Sequence, residues 1–211
     1  MKKILVPTDF NSLATAALEF AVPLARATGA EIIVLYADTF EPPAEFTATQ
    51  MHRLSETIDA SRASAARELE IYAHEHVPED LNVTTVVREA LAVPAIVEAA
   101  RDVDLVVMGT HGRGPISRMI LGSVAQAVLE QTDTPVLTVT RKTAPGPVRR
   151  ILTYPSTEAK ARELAAILGA EVAIVERDDF TCCETDLLVV PKGERTNAIR
   201  HAPAPVLTVT V

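Results

Sequence analysis

The chain has 211 residues, 48% of them hydrophobic but only 4% aromatic, with a formal net charge of −8. That length allows one sizeable domain or two small ones. A core of Ala, Val, Leu and Ile suits helices packed on parallel strands rather than an aromatic-rich β-sandwich, and an acidic chain without a block of Lys and Arg disfavours nucleic acid as a partner.

In chain order, Ile4-Leu5-Val6 reads as a short buried strand, and Asn11 or Ser12 as the cap of a helix. Leu13, Ala16, Ala17, Phe20, Leu24 and Ala27 recur at helical spacing along that helix, and Gly29 ends it. Glu31 to Tyr36 is a near-continuous apolar strand of the kind covered on both faces. Phe40 to Phe46, with Pro42 and Pro43, reads as a loop, and Thr47 to His76 as a long helix. Val83 to Val87 is a third strand, and Pro94 to Arg101 a helix with proline in its first turn. Leu105 to Gly109 is a fourth strand, Ser123 to Gln131 a helix, and Pro135 to Thr140 a fifth strand. The pattern predicts an α/β fold: a doubly wound, Rossmann-like or flavodoxin-like parallel five-stranded sheet in the order 3-2-1-4-5.

Beyond a Pro145-Gly146-Pro147 linker the pattern restarts. Arg149-Arg150-Ile151-Leu152 echoes Lys2-Lys3-Ile4-Leu5, and Gly169-Ala170-Glu171-Val172 echoes Gly29-Ala30-Glu31-Ile32. Asp186-Leu187-Leu188-Val189-Val190 echoes Asp104 to Met108, and residues 205–210 are identical to 135–140. The expected division is residues 1–142 as a domain with a nucleotide-binding loop and 149–211 as a truncated structural repeat. The second copy lacks a helix–strand–helix unit, and its Asp186-to-Pro205 stretch is about a dozen positions shorter than Asp104-to-Pro135. What it loses is the glycine loop, so it is expected not to bind nucleotide.

The spacing that carries chemistry is Gly109-x2-Gly112-x9-Gly122-Ser123. Gly109 and Gly112 permit sharp turns and close approach of a ligand to the backbone. Gly122 and Ser123 stand where a helix begins, and the orphan amides there form a ready anion site. In the order 3-2-1-4-5 the first and fourth strands flank the switch point, where ligands bind beyond the carboxyl ends. Asp9 lies at the end of the first strand, available to accept from ribose hydroxyls or to assist a divalent cation; a helix-capping role competes. His111, in the loop, is as readily a surface imidazole as a phosphate contact. His74 and His76 point to different sides of a helix and do not form a metal pair. Cys182 and Cys183 are adjacent and cannot form an ordinary structural bridge, which suggests a reducing, cytoplasmic setting. No stretch approaches the roughly eighteen apolar residues of a membrane span.

With this loop, the Pro7-Thr8-Asp9-Phe10 first-strand motif and the Pro135-Val136-Leu137 last strand, the chain resembles the universal stress protein family, over 1–142 in full and through the shortened copy in 149–211. The resemblance implies ATP as ligand, with Mg or Mn accompanying the phosphates. It implies ribose contacts from Asp9 and Gly109, adenine contacts near Ala37, and phosphates on Gly112, Arg113, Gly122, Ser123 and Val124. Pro7, Thr8 and Met108 complete the expected contact set. In the second copy Ser156 stands for Asp9 and Pro191 for Gly109, which puts a second site in doubt. Such proteins dimerise through their last strand, so an intrachain pseudo-dimer is expected, and a homodimer through last-strand edges is a further possibility. The function implied is a nucleotide-responsive stress or signalling module. A slow ATPase or phosphotransfer enzyme and a nucleotide-free partner-binding module are the alternatives. The loop has no Walker-type lysine, and no glycine fingerprint follows the first strand.

Overall fold

The computed structural model describes residues 1–39, 48–110, 121–140, 146–176, 185–193, 202 and 204–210, and for 48–59 the backbone alone. The elements are β1 (Lys3–Thr8), α1 (Ser12–Thr28), β2 (Glu31–Asp38), α2 (Ala48–His76), β3 (Val83–Glu89), α3 (Ala92–Ala100), β4 (Leu105–Gly109), α4 (Ser123–Gln131) and β5 (Val136–Val139). They continue with β6 (Arg150–Thr153), a short 3-10 turn (Pro155–Thr157), α5 (Glu158–Leu168), β7 (Glu171–Ile174), β8 (Leu187–Pro191) and β9 (Val206–Val209). The expected Phe40–Phe46 loop, His111, Gly112, Arg113, Cys182 and Cys183 lie outside the described residues.

All strands join one sheet in the order β3-β2-β1-β4-β5-β9-β8-β6-β7. The first five strands follow the expected 3-2-1-4-5 order, and every neighbouring pair is parallel except β5–β9. Parallel neighbours need long crossovers, and the helices supply them on both faces. Alternation along the strands sorts the core into two layers. Ile4, Val6, Leu105, Val107, Ile151 and Leu187 face α1, α2 and α5. Leu5, Val106, Met108, Leu152 and Leu188 face α3 and α4.

The sequence echoes have hydrogen-bond counterparts. Asp104 Oδ2 accepts from the amides of Lys2 and Lys3 at 2.6 and 2.9 Å; Asp186 Oδ2 accepts from those of Arg149 and Arg150 at 2.8 and 3.0 Å. Gly29 closes α1 at φ 69°, and Gly169 closes α5 at φ 68°. Both occupy the left-handed region that favours glycine at a helix end.

The identical segments meet in the middle of the sheet. Leu137 lies opposite Leu207, with Val136 opposite Thr208 and Thr138 opposite Val206, so the antiparallel register is symmetric about the leucine pair. The junction is further tied by Lys192 Nζ, which donates to the Thr132 carbonyl at 2.6 Å and to Asp133 Oδ1 at 3.2 Å. One expectation is corrected here. β5 is flanked by β4 and β9, and β9 by β5 and β8, so a homodimer through last-strand edges has no free edge to use.

Candidate nucleotide-binding site

The site is built from the carboxyl ends of β1, β2 and β4. Parallel pairing sets Ile4 beside Leu105 and Leu5 beside Val106, while Thr8 pairs with Tyr36. After β1 the chain turns into α1 on one face; after β4 it leads to α4 on the other. That divergence opens a crevice at the strand ends.

A tight turn shapes the β1 end. Thr8 Oγ1 accepts from the Phe10 amide at 3.0 Å. The Asp9 carboxylate accepts from the Asn11 amide at 3.3 Å and from Asn11 Nδ2 at 2.9 Å. Asn11 Oδ1 in turn accepts from the amides of Leu13 and Ala14 at 2.7 and 2.9 Å. Asn11 is therefore the N-cap of α1, and Asp9 orients the cap instead of capping directly. Phe10 sits at φ 61°, the one non-glycine residue with positive φ among those described. Its ring packs 4.9 Å from Tyr36 and 5.2 Å, edge-on, from Tyr72 of α2. The Tyr72 hydroxyl lies 3.1 Å from Thr15 Oγ1. Burial pushes the Tyr72 phenol up, against the opposing pull of hydrogen bonds with Thr15 and Thr8.

At the β4 end, Gly109 has a packing reason to be glycine. A Cβ there would lie 2.9 Å from Leu13 Cβ and 3.0 Å from the Leu13 carbonyl carbon. Met108 is buried, in the core layer that faces α3 and α4. Thr110 receives the Gly122 amide at 2.5 Å and donates its own amide to the Val139 carbonyl at 3.0 Å, which joins the ends of β4, β5 and α4. Gly122 caps α4 with φ −60° and ψ 148°, a conformation open to any residue, and no side chain caps the helix. What the glycine supplies is therefore an absent side chain: the N-cap position itself offers no side-chain acceptor to the amides at the start of α4. Ser123 and Val124 are exposed at this mouth.

Of the expected contacts, Pro7, Thr8, Asp9, Met108 and Gly109 come together at adjacent strand ends, with Ala37 at the end of β2 paired to Arg88. Gly122, Ser123 and Val124 are tethered to them through Thr110. Sequence reasoning missed Thr110, Tyr72 and the left-handed Phe10; no local pattern announces a positive φ at phenylalanine. His76 meets the Tyr72 ring edge-on at 4.9 Å, and its Nδ1 lies 3.6 Å from Glu19 Oε1. His74 instead lines a surface groove of about 580 Å³ with Arg67, Glu70, Ile71 and Glu75, all on α2 and none at the strand ends. Among the described residues there is no cluster of three metal-ligating side chains.

At the corresponding strand ends of the C-terminal part, Tyr154 and Thr157 are buried. Tyr154 is 2% exposed, and Thr157 Oγ1 lies 2.9 Å from Thr153 Oγ1 and donates to the Val189 carbonyl at 3.3 Å. Ser156 carries no charge, and β8 ends in Pro191, which has no amide to offer.

The universal stress protein family profile matches residues 1–140. The chain belongs to this family. Universal stress protein MJ0531 of Methanocaldococcus jannaschii is 31% identical over 144 residues, 65% of this chain and 81% of its own length. Universal stress protein MJ0577 of the same organism is 29% identical over 162 residues, covering 67% of this chain and 96% of its own. The solved structure of MJ0577 is 28% identical, with a TM-score of 0.55 over 68% of this chain and 98% of that one. A universal stress protein from Archaeoglobus fulgidus DSM 4304 is 16% identical and covers 99% of this chain and 96% of its own, with a TM-score of 0.65. That last likeness is one of fold, over nearly the whole length. The residues described above at the ends of β1, β2 and β4 all fall within the universal stress protein match. No helix among the described residues is long and apolar enough to cross a membrane.

Proposed function

We propose that this universal stress protein binds one ATP per chain in the crevice between β1 and β4 and works as a nucleotide-responsive stress or signalling module of the cytoplasm. The observation that supports it most is the start of α4, where the N-cap is Gly122, with no side chain of its own to cap the helix amides, and its amide ties the helix to the β4 end through the Thr110 carbonyl. Orphan amides and the positive end of the helix dipole suit phosphate oxygens. Asp9 is the acceptor for ribose, with Gly109 beside it and Ala37 on the adenine side. Gly112 and Arg113 complete the phosphate contacts. A Mg or Mn ion fits as a companion of the phosphates: Asp9 is the carboxylate at hand, and phosphate and water oxygens supply the rest of its shell.

Asp9 is already engaged by two donors from Asn11, which suits a fixed acceptor better than a general base. Hydrolysis at most slow is the expectation. The C-terminal part is read as a truncated second copy that binds no nucleotide, and the symmetric β5–β9 junction as a dimer contact brought inside one chain.

The test is direct. The protein, purified without added nucleotide, is denatured and the supernatant analysed by mass spectrometry; a parallel calorimetric titration uses ATP with magnesium or manganese. Adenine nucleotide in either supports the reading, and its absence from both ends it. Gly122→Val, which puts a branched side chain at the helix mouth, should abolish binding while unfolding stays cooperative. Retained affinity would mean that the phosphates lie elsewhere.

A further inference from the structure

Phe10 pays for its place. A left-handed backbone costs an L-residue with a Cβ a measurable amount, and such a conformation persists only where the surroundings over-determine it. The surroundings here are aromatic. The Phe10 ring is held between Tyr36, at 4.9 Å, and Tyr72, at 5.2 Å. Tyr72 is 8% exposed and anchored on both sides: its hydroxyl is 3.1 Å from Thr15 Oγ1, and His76 meets its ring edge-on at 4.9 Å. Thr15 Oγ1 also donates to the Asn11 carbonyl at 3.2 Å. The two neighbours of Phe10 are Asp9 and Asn11, the hydrogen-bonded pair at the crevice.

We infer that the Phe10 ring, clasped by Tyr36 and Tyr72, fixes the turn that carries the Asp9 carboxylate, which makes Tyr72 a positioning residue for the crevice, supplied by α2. The inference rests on the nucleotide reading above. Tyr36 directly precedes Ala37, so one clasp braces the turn bearing the ribose acceptor and the strand end bearing the adenine-side residue. The nucleotide site is thereby mechanically tied to α2.

Two pairs of variants separate positioning from packing, with ATP affinity measured by calorimetry and folding by circular dichroism and urea unfolding. Glycine adopts φ 61° without penalty and alanine does not. Once the ring is gone, Phe10→Ala lets the turn relax, and ligand must restore it; Phe10→Gly does not carry that cost. The expected order of affinity is wild type, then Phe10→Gly, then Phe10→Ala, with about tenfold between the last two. A role in packing alone predicts no such advantage for glycine, because both variants leave the same hole and glycine has the floppier unfolded chain. In the second pair, Tyr72→Phe keeps the ring and should bind within about threefold of wild type, while Tyr72→Leu should weaken binding about tenfold. Phe10→Ala binding as well as Phe10→Gly, with both folded, overturns the inference. So does wild-type affinity in Tyr72→Leu. Failure of the wild-type protein itself to bind ATP overturns the nucleotide reading and the inference with it. Should Phe10→Ala not fold, the Tyr72 pair decides alone.

Discussion

The Cβ that Gly109 lacks would stand 2.9 Å from Leu13 Cβ and 3.1 Å from the Leu13 carbonyl oxygen. The end of β4 is thus pressed against the first turn of α1, the turn that Asn11 caps and Asp9 steadies. Gly109→Ala should destabilise the protein by about 1–3 kcal/mol in urea unfolding, the usual cost of overpacking. Leu13→Ala should not rescue it, because the clash is with Cβ and backbone atoms that alanine retains. A rescue would place the strain in the leucine side chain.

Asn11 is more demanding than an ordinary cap. Asn11→Ser keeps an oxygen for the Leu13 and Ala14 amides but removes the Nδ2 donor that Asp9 uses. Asn11→Asp is normally a benign cap exchange. Here it sets a second carboxylate against the first, so Asn11→Asp should be less stable than Asn11→Ser at neutral pH. Thermal melts at neutral pH read this directly.

The two halves of the β5–β9 junction match in register but not in hydrogen bonding. Thr138 Oγ1 donates to the Val206 carbonyl at 3.2 Å, whereas Thr208 Oγ1 is buried with no partner among the described residues. Thr208→Val should be neutral or slightly stabilising, because it removes an unsatisfied hydroxyl. Thr138→Val should cost about 1 kcal/mol by the same measurement. Equal effects would mean that the two sites are alike in solution.

The amides of Lys2 and Lys3 hold the Asp104 carboxyl below its ordinary value of 3.8. A lowered folded-state value means that this contribution is in place above pH of about 4 and is lost as pH falls through the folded value. Asp104→Asn should lower stability at neutral pH by about 1 kcal/mol, modest because the group is exposed. It should also flatten the acid limb of the stability curve below about pH 4.

Cutting the chain after residue 142 would strip β9 from β5 and leave a four-residue apolar edge, Val136–Val139, without its neighbour. Sedimentation should find the 211-residue chain monomeric at 22.7 kDa and the shortened chain self-associated. A monomeric fragment would show that the edge is protected by something other than β9.

What the sequence determined by itself was whatever depends on neighbours along the chain. Apolar runs such as Leu105–Met108, the helical spacing after Asn11 and the glycines at 29 and 169 each carry their structural meaning within a few residues. The parallel, doubly wound character of the first five strands was likewise legible, because strands alternating with helices need crossovers and those crossovers have one hand. Even the identity of residues 205–210 with 135–140 could be read, since it is a matter of comparing segments. The crevice was legible only in outline. Why position 109 is glycine depends on Leu13, nearly a hundred residues away, and proves to involve packing as much as ligand access. The left-handed turn at Phe10 depends on two tyrosines from other elements, since only tertiary contacts can offset a strain that local preference forbids. The direction of the β5–β9 pair was also a tertiary decision. Identical segments fit parallel or antiparallel, and only the docking of the C-terminal strands against the first five chose the symmetric arrangement.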